Sequence, residues 1–153
     1  MIFLSVLYGR LLRILHSCAD HTMSAALARM DLTAAQGHIM GYLAHCQNPP
    51  CPRDLEIAFQ LSHPTVSGLL ARLEKKGFLA LRTDPSDRRC KRIYVLPKGN
   101  ACMETMHSTI LDTEARLVQG FTPEEKVQFA RLLSRAIENM GGNPRLPEEE
   151  THQ

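Results

Sequence analysis

Apolar residues recur at helical spacing along most of this chain, and one short stretch reads as paired strands. Residues 2–30 predict a long helix, with Leu4, Leu7, Leu11, Ile14, Leu15, Cys18, Met23, Ala26 and Leu27 along one stripe and no proline to break it. Residues 33–45 predict a second helix, opened by a Thr33/Gln36 capping box and turned inward along Ile39, Met40, Leu43 and Ala44. After the Gln47–Asn48–Pro49–Pro50 loop, Pro52 suits the first position of a helix over 52–60, with Leu55, Ala58 and Phe59 inward. A further helix spans 63–76. Ser62 is its N-cap, Pro64 lies in its first turn, Val66, Leu69, Leu70 and Leu73 are its apolar face, and Gly77 is its stop. Phe78–Thr83 and Lys91–Leu96 then read as strands joined through the turn former Asp84–Pro85–Ser86–Asp87.

Two more helices complete the pattern. One covers about 99–119, with Met103, Met106, Ile110, Leu111, Ala115 and Val118 on one side. The other starts at a Thr122/Glu125 capping box with Pro123 in its first turn. It carries Val127, Phe129, Leu132, Leu133, Ala136, Ile137 and Met140, and ends at Gly141–Gly142. Residues 143–153 are polar and acidic and read as a frayed tail. Two short helices in tight succession followed by a hairpin predict a mainly α fold with a small β-hairpin wing, a winged helix-turn-helix. The apolar stripes of the flanking helices are too long for one small core, so N- and C-terminal dimerisation helices are expected. The expected organisation is a dimerisation helix over 1–30, a winged DNA-binding region over 31–98, dimerisation helices over 99–142 and the tail over 143–153.

Composition narrows the class. The 153 residues are 44% hydrophobic, enough for a core, and lack tryptophan. No 18-residue apolar run occurs, and Arg10 and Arg13 interrupt the apolar start, so a cytoplasmic chain with no membrane partner is expected. Five cysteines without a scaffold-like pattern read as reduced thiols.

Charge gives the sharper signal. Between Arg72 and Lys98 there are nine Lys or Arg and three acids, a local excess of +6 in a chain whose net charge is +2. Such concentration is an electrostatic footprint for DNA. With the apolar face of 63–76 packed inward, His63, Pro64, Thr65, Ser67, Gly68, Ala71, Arg72 and Lys75 point outward. A major groove about 12 Å wide admits such a helix. Thr65 and Ser67 suit bases or phosphates, Pro64 a thymine methyl, and Arg72 and Lys75 phosphates, while Gly68 permits close approach. At the hairpin tip, Arg88 or Arg89 suits a narrow minor groove, with Lys91 or Arg92 on the backbone and Asp87 orienting an arginine.

The stretch SHPTVSGLLARLEKKGFLALRTDPSDRRCKRIYVLPKG resembles the recognition helix and wing of the MarR (multiple antibiotic resistance regulator) family of bacterial transcription regulators. The resemblance extends over roughly residues 5–140, and Asp87 and Arg89 fall on the family's D-x-R signature. It implies that Arg89 reaches the minor groove with Asp87 in support. It further implies a homodimer, a repressor role on palindromic operators of double-stranded DNA, and release by a small aromatic or anionic effector. Two departures stand out: Pro97 replaces the familiar threonine after the wing, and Gly68 replaces a commoner polar or basic residue.

For an effector, Leu11, Leu12, Met40 and Leu43 are candidate apolar walls, with Arg10, Arg13 or His38 answering a polar end. A competing switch is oxidation of Cys18 on the first helix or of Cys90 beside Arg89, where positive neighbours are expected to lower the thiol pKa. His16, Cys18 and His21 do not share one helical face, so no metal is expected, and no cofactor is called for. The chain has no G-x-S-x-G, phosphate-binding glycine loop or H-E-x-x-H, so no enzyme is expected. The remaining alternative is a winged helix that binds protein rather than DNA, which a neutral helix face and tip would favour.

Overall fold

In a computed structural model, described over residues 7–144, the chain runs α1 Leu7–Arg29, α2 Ala34–Ala44, α3 Pro52–Phe59, α4 His63–Lys75, β1 Leu79–Thr83, β2 Lys91–Val95, α5 Pro97–Leu117 and α6 Pro123–Asn139. It is mainly α with one antiparallel hairpin. Leu4 and nearly all of the 143–153 tail lie outside the described residues. The chain divides into two units, Met1–Thr113 and Glu114–Gln153.

The core of the first unit is built on α4. Val66, Leu70 and Leu73 are completely buried, and Leu69 packs at their edge. They meet Ile39, Met40 and Leu43 of α2, Leu55 of α3, Phe78, Leu79 and Ile93 of the hairpin, Leu27 of α1 and Cys102 of α5. At roughly 1.5–3 kcal/mol per buried aliphatic side chain, this cluster is the main force holding α4 in one orientation. Two inward assignments fail. Ala44 is exposed because α2 ends there, and Ala58 is exposed because α3 packs along Leu55 and Phe59. Of the α1 stripe, Ala26 and Leu27 are buried, whereas Leu7, Leu11, Ile14, Leu15 and Cys18 are exposed.

Local chemistry sets the helix ends. The Thr33 hydroxyl accepts from Gln36 N–H at 3.3 Å, and Gln36 Oε1 accepts from Thr33 N–H at 3.1 Å. The Thr122/Glu125 box closes likewise at 3.2 and 2.9 Å. At the end of α4, Gly77 takes φ +80°. Its N–H donates to Glu74 O at 2.9 Å, and Phe78 N–H donates to Leu73 O at 3.0 Å. That Schellman arrangement makes Phe78 a cap residue rather than the first strand residue, and it drives the ring into the core.

In the hairpin, Leu79 pairs with Val95 and Leu81 with Ile93 on the core side, while Ala80 pairs with Tyr94 and Arg82 with Arg92 on the other. Helix α5 starts two residues earlier than expected, with Pro97 as its first residue, where a missing N–H is harmless. Its first turn lies tightly on the hairpin. A Cβ on Gly99 would stand 2.2 Å from Phe78 O and 2.6 Å from Val95 Cγ1. In the second unit, Phe121 and Phe129 meet edge to face at 5.6 Å, and α6 buries none of its residues.

Gly99→Ala is therefore expected to destabilise the chain by an amount at or above the upper end of the ~1–3 kcal/mol typical of overpacking, because a backbone carbonyl must move. Urea denaturation measures this; an unchanged midpoint would show that α5 is not held against the hairpin as described.

Candidate nucleic-acid interface

The turn between α3 and α4 is short. Gln60 caps α3 in the left-handed region at φ 52°, and Leu61 N–H returns to Glu56 O at 3.1 Å. Ser62 then takes the extended N-cap conformation. Its hydroxyl does not bond the helix N–H groups as expected; it pairs with the Thr65 hydroxyl at 2.8 Å. His63 Nδ1 meets Glu56 Oε1 at 2.6 Å, tying the first turn of α4 to α3.

With its apolar stripe enclosed, α4 presents His63, Pro64, Thr65, Ser67, Gly68, Ala71, Arg72 and Lys75 to solvent. Nothing lies within 4 Å of the Gly68 Cβ position. The hairpin tip exposes Asp87, Arg88, Arg89 and Lys91. A cleft of about 430 Å³ joins the two parts, lined by His63 and Ser67 from α4, Glu56 from α3, and Arg89 and Lys91 from the hairpin.

The basic residues fall into two sets. Arg92 Nε donates to Asp84 Oδ2 at 2.7 Å, and its Nη1 donates to Pro49 O at 3.3 Å. Arg82 stacks over Tyr94 at 5.2 Å. Lys76 binds the Asp31 carbonyl and carboxylate and Gln36 Oε1. Lys98 donates to Lys76 O at 2.7 Å and lies 4.5 Å over the Phe78 ring. Among the described residues, no ion pair holds Arg72, Lys75, Arg88, Arg89 or Lys91.

The tip carboxylates divide the work differently from expectation. Asp87 Oδ1 accepts the Arg89 backbone N–H at 2.9 Å, and Asp87 O accepts the Cys90 N–H at 2.9 Å. Asp87 thus shapes the backbone that carries Arg89. Asp84, absent from the sequence-derived candidates, holds a guanidinium instead. Its carboxyl is held below the usual range by the Arg92 hydrogen bond and then by Ser86 N–H. Arg82 and Arg92 sit directly opposite each other, so the Asp84 charge offsets a like-charge pair. Only an Asp-Pro-Ser turn signal marked this residue in the sequence.

Elsewhere, Arg10, Leu11, Leu12, Arg13 and His38 are exposed, and Met40 is fully enclosed in the core. Leu43 borders a second cleft of about 180 Å³ with Pro49, Ile93 and Tyr94. The expected lowering of the Cys90 thiol is overturned: burial first, and Cys51 next, push it up, and they outweigh the opposing Arg92 charge. Among the described residues no three His, Cys, Asp or Glu side chains are grouped to hold a metal, and no helix is long and apolar enough to cross a membrane.

The Asp84 pairing has a pH signature. A depressed carboxyl stabilises the fold above its unfolded pKa of about 3.9 and loses that contribution as pH falls through its folded value. Asp84→Asn is expected to lower Tm at pH 7, with the gap to wild type closing in acid below about pH 3.9. A gap independent of pH would mean that the charge is not the cause.

Comparison with known proteins places this geometry. The model of the MarR family matches residues 32–91. The MepR–DNA complex of Staphylococcus aureus is 31% identical, covers 87% of this chain and 99% of that chain, and superposes with TM-score 0.76. MepR described as a transcription regulator of the S. aureus multidrug efflux pump MepA is 30% identical over 87% and 98%, with TM-score 0.77. A protein from Clostridium acetobutylicum described as a MarR family transcriptional regulator is 30% identical over 87% and 98%, with TM-score 0.74. A winged helix-turn-helix with these likenesses across most of its length belongs to the MarR family of transcriptional regulators.

Proposed function

We propose that the chain is a sequence-specific regulator that binds double-stranded DNA as a homodimer, with α4 in the major groove and the hairpin tip in the adjacent minor groove. One observation carries this reading: the polar face of α4 borders one solvent-facing lobe with the tip cations Arg88, Arg89 and Lys91, which no ion pair holds among the described residues. The DNA complex of a relative that this chain matches over nearly its full length supports it. Thr65 and Ser67 are the base readers, with Arg72 and Lys75 on phosphates. Breaking the Ser62–Thr65 hydroxyl pair accompanies base contact by Thr65.

Dimerisation is assigned to 1–30 and 99–142, around a DNA-binding region at 31–98. The support is the uncovered apolar surface of Leu7, Tyr8, Leu11, Leu12, Ile14 and Leu15 on α1 and of Val127, Leu132 and Ile137 on α6. Two lobes related by a two-fold axis match half-sites about 34–36 Å apart, hence a palindromic operator, and a repressor role.

Fluorescence anisotropy on a selected palindrome tests the site. Thr65→Ala should alter base preference, and Arg89→Ala should weaken binding on all sequences and lower the log-affinity salt slope by roughly 1. Two variants indistinguishable from wild type would refute the assignment.

Control is assigned to a small ligand with an apolar body and a carboxylate or phenol. It would be held where Leu11, Leu12, Arg10, Arg13 and His38 offer exposed apolar and basic groups, with Leu43 at the edge of the core. Such a ligand shifts lobe spacing only as far as it prefers one spacing. Benzoate-class acids and phenols should raise Tm and release operator together; a panel that does neither removes the support for this ligand class.

A further inference from the structure

The loop before α3 runs beside β2. Pro50 O accepts from Ile93 N–H at 2.8 Å, and the Arg92 guanidinium reaches back to Pro49 O. This pairing brings together two residues far apart in sequence: Cys51, the N-cap of α3, and Cys90, which immediately precedes β2 and follows Arg89. Both are free, partly exposed and line the α4–hairpin cleft. Cys51 lies close enough to Cys90 to raise its thiol. The other cysteines are placed differently. Cys46 donates to Tyr42 O, Cys102 is buried against Met106 Sδ, and Cys18 is exposed on α1.

We propose that Cys51 and Cys90 form a dithiol switch, in which oxidation joins them within one chain and the resulting disulfide weakens DNA binding by displacing Arg89. With a peroxide as oxidant, one thiolate attacks a peroxide oxygen and becomes a sulfenic acid. The second thiol displaces that hydroxyl as water, so two thiols and one hydrogen peroxide give one disulfide and two waters. A sulfur–sulfur bond is about 2.05 Å, far shorter than a thiol contact, so Cys90 must be drawn toward the start of α3. Arg89, its neighbour in sequence, moves with it, and the cleft that Arg89 shares with Ser67 narrows. Because the Cys90 thiol is pushed up by burial, thiolate is scarce at neutral pH and the pair responds to sustained rather than trace oxidant.

The second half of the proposal rests on the DNA-binding reading, so two readouts are kept apart. Full-length protein is treated with hydrogen peroxide under native conditions, alkylated and mapped by non-reducing peptide mass spectrometry. A Cys51–Cys90 linked peptide is expected, absent from both Cys51→Ser and Cys90→Ser. No linked peptide when Cys18 is already oxidised, or linkage through Cys18 instead, overturns the pairing. On a selected operator, the oxidised wild type should bind about tenfold or more weakly, with dithiothreitol restoring affinity and Cys51→Ser unresponsive. A linked peptide with unchanged Kd overturns the switch. Formation of the linked peptide in a protein whose reduced form binds no duplex overturns the DNA-binding reading and leaves the pairing standing.

Discussion

Burial of Val66, Leu70 and Leu73 is the constraint on which the rest of the structure depends. A helix has one inward face here, and these side chains occupy it completely. The opposite face, with Pro64, Thr65, Ser67, Gly68, Ala71, Arg72 and Lys75, is thereby turned toward solvent. The same stripe anchors Phe78 through the Schellman turn, and Phe78 anchors the hairpin and the first turn of α5. Removing any one of these side chains loosens both halves of the interface, because both rest on a single cluster.

The local charge of the segment overstates its free charge. Lys76, Arg82, Arg92 and Lys98 are engaged with backbone carbonyls, rings or carboxylates and act as structural cations. Arg72, Lys75, Arg88, Arg89 and Lys91 project without an ion pair among the described residues. Two carboxylates shape the tip. Asp84 offsets the charge of Arg92, one of the two opposed arginines, and Asp87 closes the turn beneath Arg89. Acidic residues inside a basic segment are thus part of how it presents its cations.

Most of the fold was legible because its signals are local. The Thr33/Gln36 and Thr122/Glu125 boxes, Pro52 and Gly77 each mark an end within a few residues of themselves. The outward face of α4 was legible from periodicity alone. What sequence could not show depends on contacts between distant segments. The Asp84–Arg92 bond competes with the plainer role of a turn aspartate. Cys51 and Cys90 come to line one cleft where the Pro49–Pro50 loop pairs with β2. The rise of the Cys90 thiol reflects burial, which a string of neighbouring positive charges does not reveal. Ala44 and Ala58 show the same limit in small: alanine fits either side of a helix, and only the packed neighbours decide.

The exposed apolar residues of α1, those of α6, and the basic face of α4 and the hairpin tip each support the proposed binding of two chains to one duplex. Sedimentation velocity with a fluorescent palindromic operator measures that stoichiometry directly. A complex of two chains per duplex, formed from a free dimer and dissociating steeply with added salt, is the expected result. A folded monomer at micromolar concentration that shifts no duplex would contradict it.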